Sequence, residues 1–250
     1  MVEADLHTHT TYSDGKCGAE EIVLAAIERG LKTVGLTDHS YTDFDESYCM
    51  KKDERDRYLE EIAALKEKYR GKIEVLAGIE EDLFSETDLS LFDYAIGSVH
   101  YLKIGEKFIP VDESPEVLSK AADSYFGGDA LCLAELYFEE VGALAEKKDK
   151  IVGHFDLIVK FNEKANLFSE SDPRYVAAWK RAADALLKAG KTFEINTGAM
   201  HRGYRSIPYP APAIFAYLKE KGARFVFGSD SHSDKTLGFA FREIEKEYGV

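Results

Sequence analysis

At 250 residues the chain is long enough to bury one large core without disulfide support, since a domain near this size buries roughly 70–75% of the surface its unfolded chain exposes. Hydrophobic residues make up 45% and charged residues 31%, and no apolar run nears the ~18–20 residues of a transmembrane helix. The formal net charge of −14 argues against general nucleic-acid affinity, which depends on clustered Lys and Arg, so binding of a small phosphate would require local cations or metals. Cys17, Cys49 and Cys132 are an odd number without C-x-x-C spacing and read as free thiols. The opening MVEADLHTHT has neither the basic n-region nor the apolar stretch of a secretory signal, so a cytoplasmic location is expected.

Along the chain, short β-branched or aromatic runs alternate with longer amphipathic stretches, the pattern of βα units around a mostly parallel sheet. Strands are predicted at 2–10, 33–39, 73–81, 94–101, 151–155, 192–197 and 224–230. Helices are predicted at 19–29, 53–69, 115–125, 130–147, 173–189, 210–221 and 238–247. Gly30, Gly190 and Gly222 each follow an apolar-periodic run and precede a strand by two or three residues, as glycines closing helices do. No Pro/Gly/Ser-rich linker divides the chain, so one domain over 1–250 is expected. The stretch 102–114 is the least regular and reads as a loop over a site.

Seven histidines occur, and six fall at or just after the end of a predicted strand, where side chains converge in parallel α/β folds. In strand order, His7 and His9 stand at i and i+2, which puts both rings on one face of a strand and lets them meet at one metal ion. Asp14 follows in the loop TTYSDG. The second strand ends in Asp38 and His39, read as a ligand His39 with Asp38 orienting it. The third ends in Glu80 and Glu81; period-two alternation sends only one inward, and Glu80 is the choice as a carboxylate bridging two ions, with Glu81 solvated or on the rim. His100 and His154 end the fourth and fifth strands. The seventh supplies Asp230 and His232, again at i and i+2, with small Gly228, Ser229 and Ser231 leaving room around them. These nine candidate ligands exceed what one ion needs, and mixed nitrogen and oxygen donors without thiolate suit Zn, Mn or Fe. Two or three divalent ions are expected, and such a cluster acidifies water and clamps phosphoryl oxygens, the chemistry of hydrolysis.

Taken in order, DLHTHTTYSDG, LTDHS, GIEED, GSVHY, GHFD and GSDSH resemble the polymerase and histidinol phosphatase (PHP) superfamily over essentially the whole chain. The resemblance implies a distorted (β/α)7 barrel with a trinuclear metal centre. GHFDLIVK and EINTGAMHRGYR are similar to the histidinol-phosphate phosphatases of histidine biosynthesis. It further implies that His7, His9, Glu80 and Asp230 hold one metal, Glu80, His100 and His154 a second, and Asp14, His39 and His232 a third. Basic residues after the fifth and sixth strands would bind phosphate: Lys160, where arginine is expected, and one or both of Arg202 and Arg205. Asp230 and His232 are the expected catalytic residues, and Glu113 and His201 are candidates for contacts to the rest of the substrate. The implied reaction is hydrolysis of L-histidinol phosphate to L-histidinol and phosphate. A PHP-type phosphoesterase acting on nucleotides or other small esters is the alternative, disfavoured by the acidic balance. A metal-dependent amidohydrolase also begins with H-x-H, but this chain has no strand-end lysine to bridge metals. An interaction module with a decayed site would have lost ligands, and here the set is complete.

Overall fold

The computed structural model describes residues 2–249; positions 1 and 250, the ends of the expected domain span, lie outside them. The elements follow as β1 (Ala4–Asp5), α1 (Ala19–Glu28), β2 (Thr33–Leu36), α2 (Arg55–Lys68), β3 (Glu74–Asp82), β4 (Tyr94–Ser98), β5 (Tyr101–Ile104), β6 (Lys107–Pro110), α3 (Pro115–Phe126) and α4 (Ala130–Ala143). After them come β7 (Ile151–Val152), α5 (Asn162–Ala165), α6 (Pro173–Lys188), β8 (Thr192–Asn196), α7 (Gly198–His201), α8 (Pro212–Glu220), β9 (Arg224–Gly228) and α9 (Phe241–Tyr248). Local chemistry sets several boundaries. Ser114 accepts from the Val117 amide and Asp172 from the Arg174 amide, each followed by a proline that suits the first turn of a helix. Gly30, Gly190 and Gly222 all adopt positive φ where a helix gives way to a strand, as the sequence indicated.

Seven strands pair in parallel in the order β1-β2-β3-β4-β7-β8-β9. The ends of this sheet meet: the Leu6 amide donates to the Phe227 carbonyl at 3.1 Å, His9 to Ser231 at 2.8 Å and Ser231 to His7 at 3.3 Å. The result is the distorted, nearly closed (β/α)7 barrel, with its helices outside. Leu118, Phe138, Trp179 and Leu186 pack one side of the barrel, Ile22, Tyr58 and Ile62 another, and Phe215, Phe227 and Ile244 the seam beside α9. Burial of these faces is the main favourable term of folding.

Two expectations change. The strand at 2–10 pairs regularly only over Ala4–Asp5, because residues beyond it leave the ladder to bring His7 and His9 to the centre. The segment 102–114 is not an irregular loop: β5 and β6 form an antiparallel hairpin around Gly105 and Glu106, outside the barrel sheet.

Candidate metal centre

The mouth of the barrel is built from strand ends. His7 and His9 are fully buried one residue apart, and the chain then folds back through a tight turn in which the Gly15 amide donates to the Thr10 carbonyl at 2.9 Å. A Cβ at Gly15 would stand 2.5 Å from the His9 carbonyl oxygen, so only glycine allows the turn that carries Asp14 over His9. Asp38 fixes the same turn, accepting from the amides of Thr10 (2.8 Å) and Ser13 (3.1 Å) and from the Thr10 hydroxyl (2.7 Å). Its oxygens are therefore committed to the loop of Asp14 rather than to the His39 ring, which corrects the expected role.

Glu80 is the hub. Its Oε2 lies 3.0 Å from His39 Nδ1, 3.2 Å from His7 Nε2 and 3.6 Å from His9 Nε2. Its Oε1 lies 3.0 Å from His154 Nε2 and 3.3 Å from His100 Nε2, and accepts from the Ser98 hydroxyl at 2.6 Å. Asp230 Oδ1 stands 3.4 Å from His9 Nε2, and His232 Nε2 stands 3.1 Å from Asp14 Oδ2. Asp230 has φ +51°, a left-handed conformation that is uncommon outside glycine and collects at functional sites. Three groups bring donor atoms within 4.8 Å of one another: His9, Asp14, His39 and His232; His7, His9 and Asp230; His39, Glu80 and His100. Eight of the nine candidates stand in these groups, His9 and His39 in two each, and His154 joins them only through Glu80 Oε1.

Divalent ions fit this cluster. His7 Nε2, both nitrogens of His9, Glu80 Oε2, His100 Nδ1 and His154 Nδ1 are buried without a hydrogen-bond partner among the described residues. Such orphaned polar atoms are costly in a folded core unless something takes their lone pairs. Burial, with His232 and His39 alongside, pushes His9 down to about 3, so its imidazole is neutral and able to coordinate. Against the effect of burial, His7, His39 and His100 hold the Glu80 carboxyl well below its ordinary range. Nitrogen and carboxylate donors without thiolate suit Zn, Mn or Fe.

Above the cluster lies a cavity of about 710 Å³, lined among others by Asp45, Tyr48, Tyr101, Asp112, Glu113, Lys160, His201 and Arg202. Lys160 Nζ sits on Asp112, 2.8 Å from its carbonyl and 3.2 Å from Oδ2. Arg202 Nη2 donates to Asp230 Oδ2 at 2.7 Å. Arg205 does not reach the cavity. It is 5% exposed, donates to the Val159 carbonyl at 2.9 Å and lies over the Tyr209 ring, because the turn after α7 directs it inward. His201 stands at the rim with its ring against Phe239. Glu81 is buried, not solvated, and accepts from the Thr87 amide at 2.9 Å.

Three acids around the ligands were not singled out from the sequence. Glu194 Oε1 is 2.6 Å from His7 Nδ1, Asp82 Oδ2 is 3.4 Å from His100 Nδ1, and Asp112 holds Lys160. Glu194 had a signal, a lone acid inside the apolar strand TFEIN; Asp82 and Asp112 sit among other acids and had none.

The PHP domain family profile matches residues 5–198. A Deinococcus radiodurans protein named "Probable histidinol-phosphatase" is 30% identical, over 97% of this chain and 91% of its own length. The histidinol-phosphatase of Bacillus subtilis is 25% identical, over 96% of this chain and 97% of its own. Among solved structures, HisK of Listeria monocytogenes superposes with a TM-score of 0.81 at 22% identity, covering 96% of this chain and 99% of that one. Histidinol phosphate phosphatase HisK of Lactococcus lactis, in complex with zinc, L-histidinol and phosphate, superposes with a TM-score of 0.72 at 21% identity, covering 99% and 94%. With the fold shared along its full length and the strand-end histidines and carboxylates in place, this chain belongs to the PHP domain family.

Proposed function

We propose that the protein is a metal-dependent phosphomonoesterase that hydrolyses L-histidinol phosphate to L-histidinol and phosphate, as its relatives' names and the zinc, histidinol and phosphate of the Lactococcus lactis complex suggest. The observation that carries it is a cavity of mixed charge: unpartnered histidine and carboxylate atoms lie at its floor, Lys160 and Arg202 line it paired with Asp112 and Asp230, and Asp45 and Glu113 add further acids. Two or three divalent ions, Zn, Mn or Fe, would be held by His7, His9, Glu80 and Asp230, by Glu80, His100 and His154, and by Asp14, His39 and His232. Ions there would supply Lewis acidity, acidifying water near neutral pH and neutralising phosphoryl charge.

The chain's own groups do the rest. Lys160 and Arg202 bind the phosphoryl oxygens, Lys160 as a point charge and Arg202 as a planar fork. Although burial opposes it, the Arg202 guanidinium helps keep the Asp230 carboxyl well below its usual range, so Asp230 is ionised. Asp230 accepts the proton of the attacking water and passes it to the departing alkoxide, while His232, whose Nε2 stands 3.1 Å from Asp14, would hold an ion with a proton-free nitrogen. A small ester with a cationic body suits the acidic lining, whereas a nucleotide would add anionic groups against it.

The test is phosphate release from histidinol phosphate by zinc- or manganese-loaded protein, compared with nucleoside monophosphates and an aryl phosphate. The reading expects kcat/KM for histidinol phosphate at least about 100-fold above the others, the discrimination a few complementary polar contacts provide. Turnover no better than on the aryl phosphate overturns the substrate assignment.

A further inference from the structure

Among the described residues β8 is the barrel strand that supplies none of the nine candidate ligands, yet it carries a buried carboxylate that touches two of them. Glu194 is 1% exposed. Its Oε1 pairs with His7 Nδ1 at 2.6 Å, and its Oε2 accepts from the His154 backbone amide at 2.8 Å and from Asn196 Nδ2 at 3.0 Å. The neighbouring strand is shaped around it: a Cβ on Gly228 would lie 1.9 Å from Glu194 Oε1 and 2.6 Å from His7 Cβ. A carboxylate buried this deeply carries a large desolvation penalty, and a packing role would be served better by an apolar side chain.

A neutral imidazole has one N–H and one lone pair, and a carboxylate on Nδ1 keeps the proton there. The lone pair then lies on Nε2, and His7 Nε2 is the atom that faces Glu80 at 3.2 Å without a hydrogen-bond partner. We propose that Glu194 is a positioning residue of the metal centre, fixing His7 to donate through Nε2 with one oxygen and fixing the backbone of His154 with the other. The two histidines come from β1 and β7, which are not neighbours in the sheet, so Glu194 sets their relative placement from the strand between β7 and β9. This proposal rests on the metal-centre reading above.

Zinc affinity, measured by competition with a chromophoric chelator on wild type, E194Q, H7Q and the double variant, tests it. Gln keeps the size of the side chain but turns an NH2 toward one of two donors. The tightest zinc site of E194Q is expected to weaken by about 10–100-fold, as loss of a carboxylate behind a ligating histidine does. On the H7Q background the same change is expected to weaken binding by less than about 3-fold, because the ring it orients is gone and only its contact to the His154 backbone remains. An equal loss on both backgrounds overturns the proposal, since that is what a merely structural residue would give. A second readout needs no variant: through-bond nitrogen–proton spectra of zinc-loaded wild type should place the His7 ring proton on Nδ1, far downfield, and a proton on Nε2 overturns the proposal. Wild type that binds no zinc overturns the metal-centre reading and this proposal with it, whereas E194Q that binds zinc as tightly as wild type overturns this proposal alone.

Discussion

Two arginines three residues apart end in opposite environments, and electrostatics sets what each is worth. Arg202 borders the cavity, paired with Asp230. Arg205 is turned away by backbone bonds from the amides of Tyr204 and Arg205 to the Ala199 carbonyl, and its guanidinium lies 3.5 Å from Glu170. It also bears on buried Asp156, whose carboxyl burial pushes up to about 7 in spite of Arg205. Removing one member of a buried charge cluster strands the others, so Arg205→Ala is expected to cost about 3 kcal/mol and to lower Tm by roughly 6–12 °C. Arg202→Ala should leave Tm within about 4 °C, a change under ~1 kcal/mol, while kcat/KM falls about 100-fold or more through loss of a phosphoryl clamp. Thermal melts beside steady-state kinetics check both, and the reverse pattern would exchange their roles. Nothing in the spacing of HRGYR separates these arginines, because the direction of a loop side chain is decided by tertiary hydrogen bonds. The candidate ligands were legible for the opposite reason. The i, i+2 spacing of His7 and His9 is local to the chain and visible in it, whereas Glu194 meets a histidine brought from another part of the barrel.

At the scale of elements, the β5–β6 hairpin shows what the sequence hid. Its two-residue turn at Gly105 and Glu106 is a recognised hairpin signal, but the flanking strands are four residues each and the pattern beside them is weak. The hairpin forms a wall of the cavity through Tyr101 and Pro110, and it leads directly into Asp112 and Glu113. Phe108 fastens it, stacked on Phe44 with ring centroids 3.7 Å apart, while Tyr101 donates to Asp45 at 2.8 Å. On the proposed function this wall would meet the body of the substrate rather than the reacting phosphorus, so Phe108→Ala should raise KM by about 5–10-fold with kcat within about twofold, the mark of lost uniform binding. A fall in kcat with unchanged KM would place the hairpin in the chemical step instead. On α4, Glu140 ties the helix to β5 by accepting from the Lys103 amide at 2.9 Å, and burial pushes its carboxyl up to about 8. An acid raised in this way holds its proton in the folded state when the unfolded chain has lost it. Its destabilisation is therefore absent below about 4.5, grows as pH rises to about 8, and is constant above. Glu140→Gln should melt with wild type at pH 4 and about 2–4 °C higher at pH 8.5, the shift of ~1 kcal/mol expected after discounting for partial solvation. A difference independent of pH would show that charge is not its cause.

Across the whole molecule, the centre and the barrel are one problem in stability. The order of seven strands and the helices between them were readable because parallel α/β chains alternate two periodicities. The extents were not: β1 and β7 contribute two residues each to the sheet, and the chain just beyond them is given over to His7, His9 and His154. The barrel closes where the short β1 meets β9, through the Leu6–Phe227, His9–Ser231 and Ser231–His7 bonds, and the equally short β7 is a second thinly paired strand within the sheet. Candidate ligands leave every barrel strand except β8, so ions held there would cross-link the strands that backbone pairing holds least. Binding to the folded state alone stabilises by mass action, ~4 kcal/mol at free ion a thousandfold above Kd. Chelation is thus expected to lower Tm by roughly 8–16 °C. The loss should also be uneven: amide exchange should speed up first near β1, β7 and the 228–232 segment, while the β3–β4 pairing, five residues in register, stays protected. If chelation instead raised exchange evenly across all seven strands, the ions would be stabilising the barrel as a unit and not its weak closures.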